Sequence, residues 1–216
     1  MLDAAPDPLP VLTPPEVRVL GALVEKALST PEYYPLTLGA LVAACNQKSN
    51  REPVAEYADA DVREALDALM RKRLAGEQSG MGSRVVKYRT LVGGVYDLAK
   101  GEKAVLAELM LRGPQTAGEL RTRTARMHPF ADLADVEATL RALADREPPL
   151  VAETAGRREP RWAHLFAGPP VAAPEGVATP TRPTTPSGAL AEEVDALRAR
   201  VAALEAAFAA FREQFE

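Results

Sequence analysis

Histidine and cysteine are the side chains best suited to nucleophilic, acid–base or metal chemistry near neutral pH, and this 216-residue chain holds two of the first and one of the second. His128 and His164 are separated by a predicted long helix and much of a hairpin, and Cys45 falls on the apolar side of a predicted helix. A metal site or an activated nucleophile needs several such groups to converge, and this spacing groups none of them. Cys45 reads as a small core residue, and His164, between Trp162 and Phe166 in a strand-like run, reads as structural. Gly80-Met81-Gly82 joins two strand-like runs rather than a strand and a helix, so it is not a phosphate loop. The expectation is a protein that is not an enzyme and carries no cofactor and no metal.

The remaining chemistry is electrostatic. Lys48 and Arg51 share a polar connection, Arg84, Lys87 and Arg89 share a strand pair, Arg121, Arg123 and Arg126 share a short helix, and Arg157 and Arg158 sit at a turn. All ten are candidate contacts to the phosphates of duplex DNA. The whole chain carries a formal charge of -4 with a pI of about 5.4. Residues 12–92 hold 11 basic and 10 acidic side chains, and residues 97–168 hold 11 of each, so neither half is a basic domain.

The elements that must position these cations come as a duplication. Asp59 to Leu74, DADVREALDALMRKRL, is echoed from Asp132 by DLADVEATLRALADRE, each with apolar residues at helical spacing. The surroundings repeat in the same order: Val19-Leu20 with Val105-Leu106, Gly39-Ala40-Leu41 with Gly118-Glu119-Leu120, and Tyr88 with Trp162. Each unit reads as helix, short helix, long helix and a hairpin, which is the winged-helix form of helix-turn-helix. The long helices begin with Asp59, Asp61 and Glu64, and with Asp132, Asp135 and Glu137. Acids at that end cap a helix well and meet DNA badly, so bound DNA would be held by the hairpin wing and the connection.

In detail, Thr13-Pro14-Pro15-Glu16 has the form of a capping box opening a first helix with a buried stripe of Val17, Leu20, Leu23, Val24 and Leu28. A second helix is expected from Leu36 to Asn46, and strands around Gly80-Met81-Gly82 with Val85 and Tyr88 facing inward. Gly93-Gly94 separates the units, and Gly113-Pro114 and Pro148-Pro149 end helices of the second. The expected division is a flexible lead-in at 1–12, winged-helix domains at 13–92 and 95–167, a Pro-rich linker at 168–188 and a helix at 189–216.

That last helix carries Leu190, Val194, Leu197, Val201, Leu204, Phe208, Phe211 and Phe215 in alternating steps of four and three, an a/d heptad seam. Val at a and Leu at d favour a parallel two-stranded coil, hence a homodimer; the alternative is an amphipathic helix packed on its own chain. One cysteine excludes an internal disulfide and suits a reducing cytoplasm, and no run approaches the length of a membrane span.

The stretch PLTLGALVAACNQKSNREPV, Pro35 to Val54, together with GSRVVKY, LRGPQTAGELR and RWAHLF, resembles the YceH-like family of uncharacterised bacterial proteins. The resemblance runs from about Leu12 to Phe166 and extends to the C-terminal coil. It implies a tandem winged-helix fold and no particular activity. The expected protein is mainly α with small β-hairpins, an α+β chain of two tandem winged-helix domains and a coiled-coil helix. Its expected role is DNA-associated regulation as a cytoplasmic dimer, with a protein–protein docking platform as the alternative.

Overall fold

A computed structural model of the chain describes residues 8–78, 85–154 and 159–169. Helix α1, Pro14–Ser29, starts at the capping box anticipated above, with the Glu16 carboxylate accepting from the Thr13 N–H at 2.9 Å. Helix α2, Leu38–Cys45, begins later than the sequence suggests. The reason is local: Thr37 caps it by accepting from the Ala40 N–H, while Leu36 pairs with Tyr88 as an isolated β-bridge. Helix α3, Asp59–Arg71, leads to the antiparallel strands β1, Ala75–Gln78, and β2, Lys87–Thr90. Tyr88 faces the core as expected, but Val85, which precedes the start of β2, is 54% exposed.

The Gly93-Gly94 pair lies inside a short turn of helix, α4, Val92–Val95. Helix α5, Lys100–Arg112, ends at Gly113, whose φ of 76° requires glycine or strain. Helix α6, Ala117–Thr124, carries a complete capping box between Thr116 and Glu119, and α7, Leu133–Ala144, is capped by Asp132. Strands β3, Val151–Thr154, and β4, Arg161–His164, close the second half. The chain is therefore mixed α with two small antiparallel hairpins.

The order of three helices and a hairpin occurs twice, and the internal bonds repeat with it. Leu36 and Tyr88 exchange N–H···O bonds of 3.1 and 2.7 Å, and Gln115 and Trp162 exchange bonds of 3.0 and 2.8 Å. Glu16 near the start of α1 pairs with Lys72 just past α3 at 2.5 Å, and Glu102 near the start of α5 pairs with Arg146 just past α7 at 3.0 Å. In each half a carboxylate that helps cap the first helix is tied to a cation beyond the third.

The two halves meet through α1 and α5. Every residue from Glu16 to Glu25 is buried, and so are Gly101 to Leu111 apart from Lys103, so neither helix shows a single apolar stripe. Leu28, expected in the stripe, is only partly buried near the helix end. Gly21 allows the close approach: a Cβ there would lie 3.0 Å from the Met110 Cβ and 3.1 Å from Leu111. One continuous core results, holding Leu20 and Leu23 of α1, Leu66 and Leu69 of α3, Leu106 and Leu109 of α5, and Leu140 and Leu143 of α7.

Candidate binding surfaces and the buried polar lock

The connection from α2 to α3 spans residues 46–58, thirteen in all, whereas its counterpart from α6 to α7 spans 125–132, eight in all. The longer one holds most of the CNQKSNREP stretch, and its Asn50 and Arg51 turn inward. Arg51, expected as a phosphate contact, is a correction: it is 2% exposed and chelates Glu25 of α1 at 3.1 and 2.6 Å. It also donates to the carbonyls of Ala44 and Asn50 and to the Gln47 side chain. A guanidinium so engaged has no reach to a nucleic-acid backbone.

Asn50 adopts a left-handed φ of 56°, a region Asn tolerates, and its amide donates at 3.4 Å to Glu25 and at 2.9 Å to Glu108 of α5. The connection thus links a carboxylate of each half. Arg18 fastens its ends, donating to the Cys45 carbonyl at 3.0 Å and the Pro53 carbonyl at 2.5 Å while its guanidinium lies over Tyr57. The Glu52 N–H donates to the Leu111 carbonyl of α5 at 2.9 Å.

The two carboxylates respond differently to the same burial. Burial alone would raise the pKa of Glu25, but the Arg51 hydrogen bonds and the charges of Arg51, Arg126 and Lys26 outweigh it and hold the group below its usual range. Glu108 is pushed up by burial, which Asn50, Arg126 and Arg112 only partly oppose and the nearby charge of Glu25 reinforces. One oxygen of Glu108 and the Nε of Arg112 are buried without a hydrogen-bond partner.

The remaining cations divide by environment. Lys48 is exposed on the connection, Lys87 and Arg89 are exposed on β2, and Arg121 is exposed on α6. Arg123 is tied to Gln115 at 2.6 Å and to Glu119 at 3.4 Å. Arg126, 45% exposed, pairs with Glu25 and so belongs partly to the buried lock. Arg84, Arg157 and Arg158 lie outside the described residues, as do the linker and the seam from Leu190 to Phe215.

Three of the six acids at the starts of the long helices, Asp61, Asp132 and Asp135, act as caps. Asp61 accepts from the Ala58 N–H at 2.8 Å, Asp132 from the Asp135 N–H at 2.9 Å, and Asp135 from the Ala131 N–H at 3.2 Å. The neighbouring grooves are acidic as well. A groove of about 480 Å³ between α6, α7 and the second hairpin is lined by Glu137, Glu153 and Glu159 around Trp162, with Leu133 42% exposed at its edge. Its one cation among the described residues, Arg141, is bonded to Glu137. A second groove, about 620 Å³ between α1 and α3, is lined by Glu16, Glu56, Asp61 and Glu64, with Tyr57 and Arg71.

Cys45 is fully buried and its thiol is pushed up to about 12 by that burial, which leaves little thiolate for chemistry. Burial likewise takes His164 down to about 4, so its ring is neutral at physiological pH. No cluster of three metal-ligating side chains occurs among the described residues, and none of their helices is long and apolar enough to cross a membrane.

Fold and lock together define a class: a duplicated α+β protein whose two halves are fastened by an ionised, buried connection found in one half only. A family model described as "Protein of unknown function, DUF480" matches residues 12–160. A UPF0502 protein of Geobacter metallireducens is 55% identical over 198 residues, which cover 90% of this chain and 87% of its own length. Another, of Azoarcus sp. strain BH72, is 48% identical over 221 residues, covering 99% and 98%, and one of Shewanella halifaxensis is 46% identical over 212, covering 95% and 97%. The chain belongs to this DUF480/UPF0502 family of bacterial proteins, in agreement with the resemblance carried by the CNQKSNREP stretch.

Proposed function

We propose that the protein is a non-enzymatic, tandem winged-helix docking platform that grips a polypeptide segment bearing both basic and apolar side chains. The observation that carries this reading is the groove beside α7, where three glutamates surround a tryptophan and an exposed leucine. Such a lining complements a Lys or Arg side chain stacked on Trp162 and paired with Glu153 or Glu159, next to an apolar residue against Leu133. On this reading the C-terminal heptad seam pairs two chains, so that two platforms engage one partner assembly with increased avidity.

The groove also argues against the DNA reading for the second half, since phosphates would meet carboxylates on the face that a winged helix presents to the duplex. The first half keeps a DNA reading alive through Lys87 and Arg89 on its hairpin and Lys48 on its connection, all exposed.

Trp162 is the only tryptophan in the chain, so its emission reports the groove directly. Titration with a peptide alternating Arg and Leu is expected to shift that emission to saturation, and the Glu153→Lys/Glu159→Lys double variant is expected to abolish the shift. An unchanged emission, together with salt-sensitive binding of a labelled random duplex that Lys87→Ala/Arg89→Ala removes, would replace this reading with the DNA one.

A further inference from the structure

A third concavity, about 390 Å³, lies where the first hairpin, the C-terminal part of α1 and the start of α5 come together. In contrast to the two acidic grooves, its lining contains Arg89 and Lys103 and no carboxylate. Neither cation has an ion-pair partner among the described residues. Lys103 is the one residue of the Gly101 to Leu111 run that is not buried, and it lies across Gly93, where a Cβ would come 3.0 Å from its Cδ. Glycine at 93 is therefore what lets the lysine stem lie down along the wall.

Tyr34 adds a third donor. Its oxygen accepts from the Thr90 N–H at 2.6 Å, which leaves the hydroxyl hydrogen directed elsewhere, and both Tyr34 and Thr90 line the same concavity. Burial pushes its pKa up to about 12, so that hydrogen stays in place at neutral pH. The floor is apolar, made by Val24, Ala27 and Leu28.

We infer that this pocket binds a small organic phosphate, its dianionic group held by Arg89, Lys103 and the Tyr34 hydroxyl and its organic part resting on Val24 and Leu28. Two cations facing one space without a counter-ion among the described residues favour a dianion over a monocarboxylate, and Arg with a phosphate oxygen pair makes the strongest contact of this kind. An apolar floor favours an ester over free phosphate. The volume falls within the range of small-molecule sites.

Two probes, inorganic phosphate and phenyl phosphate, test this by calorimetric titration of the full-length chain at low ionic strength, where exposed charges are least screened. Phenyl phosphate is expected to bind with a Kd below about 1 mM and more tightly than inorganic phosphate. Lys103→Met, which keeps the stem and removes the charge, and Arg89→Gln are each expected to weaken it by about tenfold. Tyr34→Phe, with an unchanged melting temperature as its folding control, is expected to weaken it by a smaller factor.

No heat of binding from either probe overturns the inference, as does phenyl phosphate binding that Lys103→Met leaves unchanged. Displacement of phenyl phosphate by a random DNA duplex at micromolar concentration overturns it too, by assigning the cations to a nucleic-acid backbone. These results are separable from the peptide titration, because Lys103 and Arg89 do not line the Trp162 groove.

Discussion

The two halves carry the same strut and the same β-bridge, yet only the first has its second and third helices joined by a long polar connection. Glu16–Lys72 and Glu102–Arg146 occupy matching places, as do Leu36–Tyr88 and Gln115–Trp162. The five additional residues of the first connection are what allow Asn50 and Arg51 to reach Glu25 and Glu108. A duplicated module keeps the contacts that fold each copy, the copies meet through the corresponding helices α1 and α5, and the unduplicated connection adds polar bonds across that seam. The same asymmetry separates the surfaces, since acids ring Trp162 in the second half while Lys87 and Arg89 stand exposed beside Tyr88 in the first.

The largest way to break the comparison is to remove the unduplicated element. Arg51→Ala leaves Glu25 buried with only the Asn50 amide and the partly exposed Arg126 and Lys26 for partners, and is expected to cost on the order of 3–5 kcal/mol in urea denaturation. Glu25→Gln combined with Arg51→Met removes both charges and is expected to recover part of that loss, since an uncompensated buried charge accounts for much of it.

The shared struts should cost less and differ from each other. Arg146 bonds both oxygens of Glu102 and also the carbonyls of Tyr96 and Asp97, so Arg146→Met is expected to lose about 1–3 kcal/mol. Lys72 makes only two such bonds, one to a single oxygen of Glu16 and one to the Val11 carbonyl, so Lys72→Met is expected to lose about 1 kcal/mol or less by the same measurement.

The smallest effect sharpens the contrast between the two buried carboxylates. The folded pKa of Glu108 is raised, so its protonated form favours folding and that stability is lost as pH rises through the raised value. For Glu25 the folded pKa is depressed, so its contribution is present above the ordinary carboxylate range and is lost as pH falls through the depressed value. Glu108→Gln, which keeps the bond from Asn50, is expected to stabilise the chain slightly at pH 7. The gain should vanish in thermal melts as pH falls through the raised pKa of Glu108.

Much of this architecture could be read from the chain because local rules and tertiary packing agree. The capping box at Thr13, the Gly113 stop, the repeated long helices and the caps at Asp61 and Asp132 follow from residue type and spacing. Reading Leu36 as the start of a helix overlooked Thr37, a residue that caps better than it propagates. Val85 and Tyr88 cannot both face inward along one strand, because an odd spacing of three puts their side chains on opposite faces, and Val85 is the exposed one.

Arg51 was the main error of the site, for a physical reason. A polar run between helices looks the same whether its cations face water or a buried carboxylate. The clue lay in α1, where Glu25 follows a run of eight residues interrupted only by Arg18, more apolar than a one-sided helix needs. Glu108 in the middle of α5 carries the same message. Lys103 and Tyr34, which sequence reading did not single out, are brought near Arg89 only because α5 and the first hairpin both pack on α1.

The central claim is that α1 and α5 belong to one cooperative body, spanned by the connection that Arg51 holds against Glu25. Native-state hydrogen exchange of the wild type and of Arg51→Ala tests it most directly, because the slowest amides of each helix report the free energy of opening their own surroundings. The account predicts equal opening free energies for α1 and α5 in the wild type and an equal fall of both in the variant. Loss of protection in α1 with α5 unchanged would show two independently folding halves and contradict it.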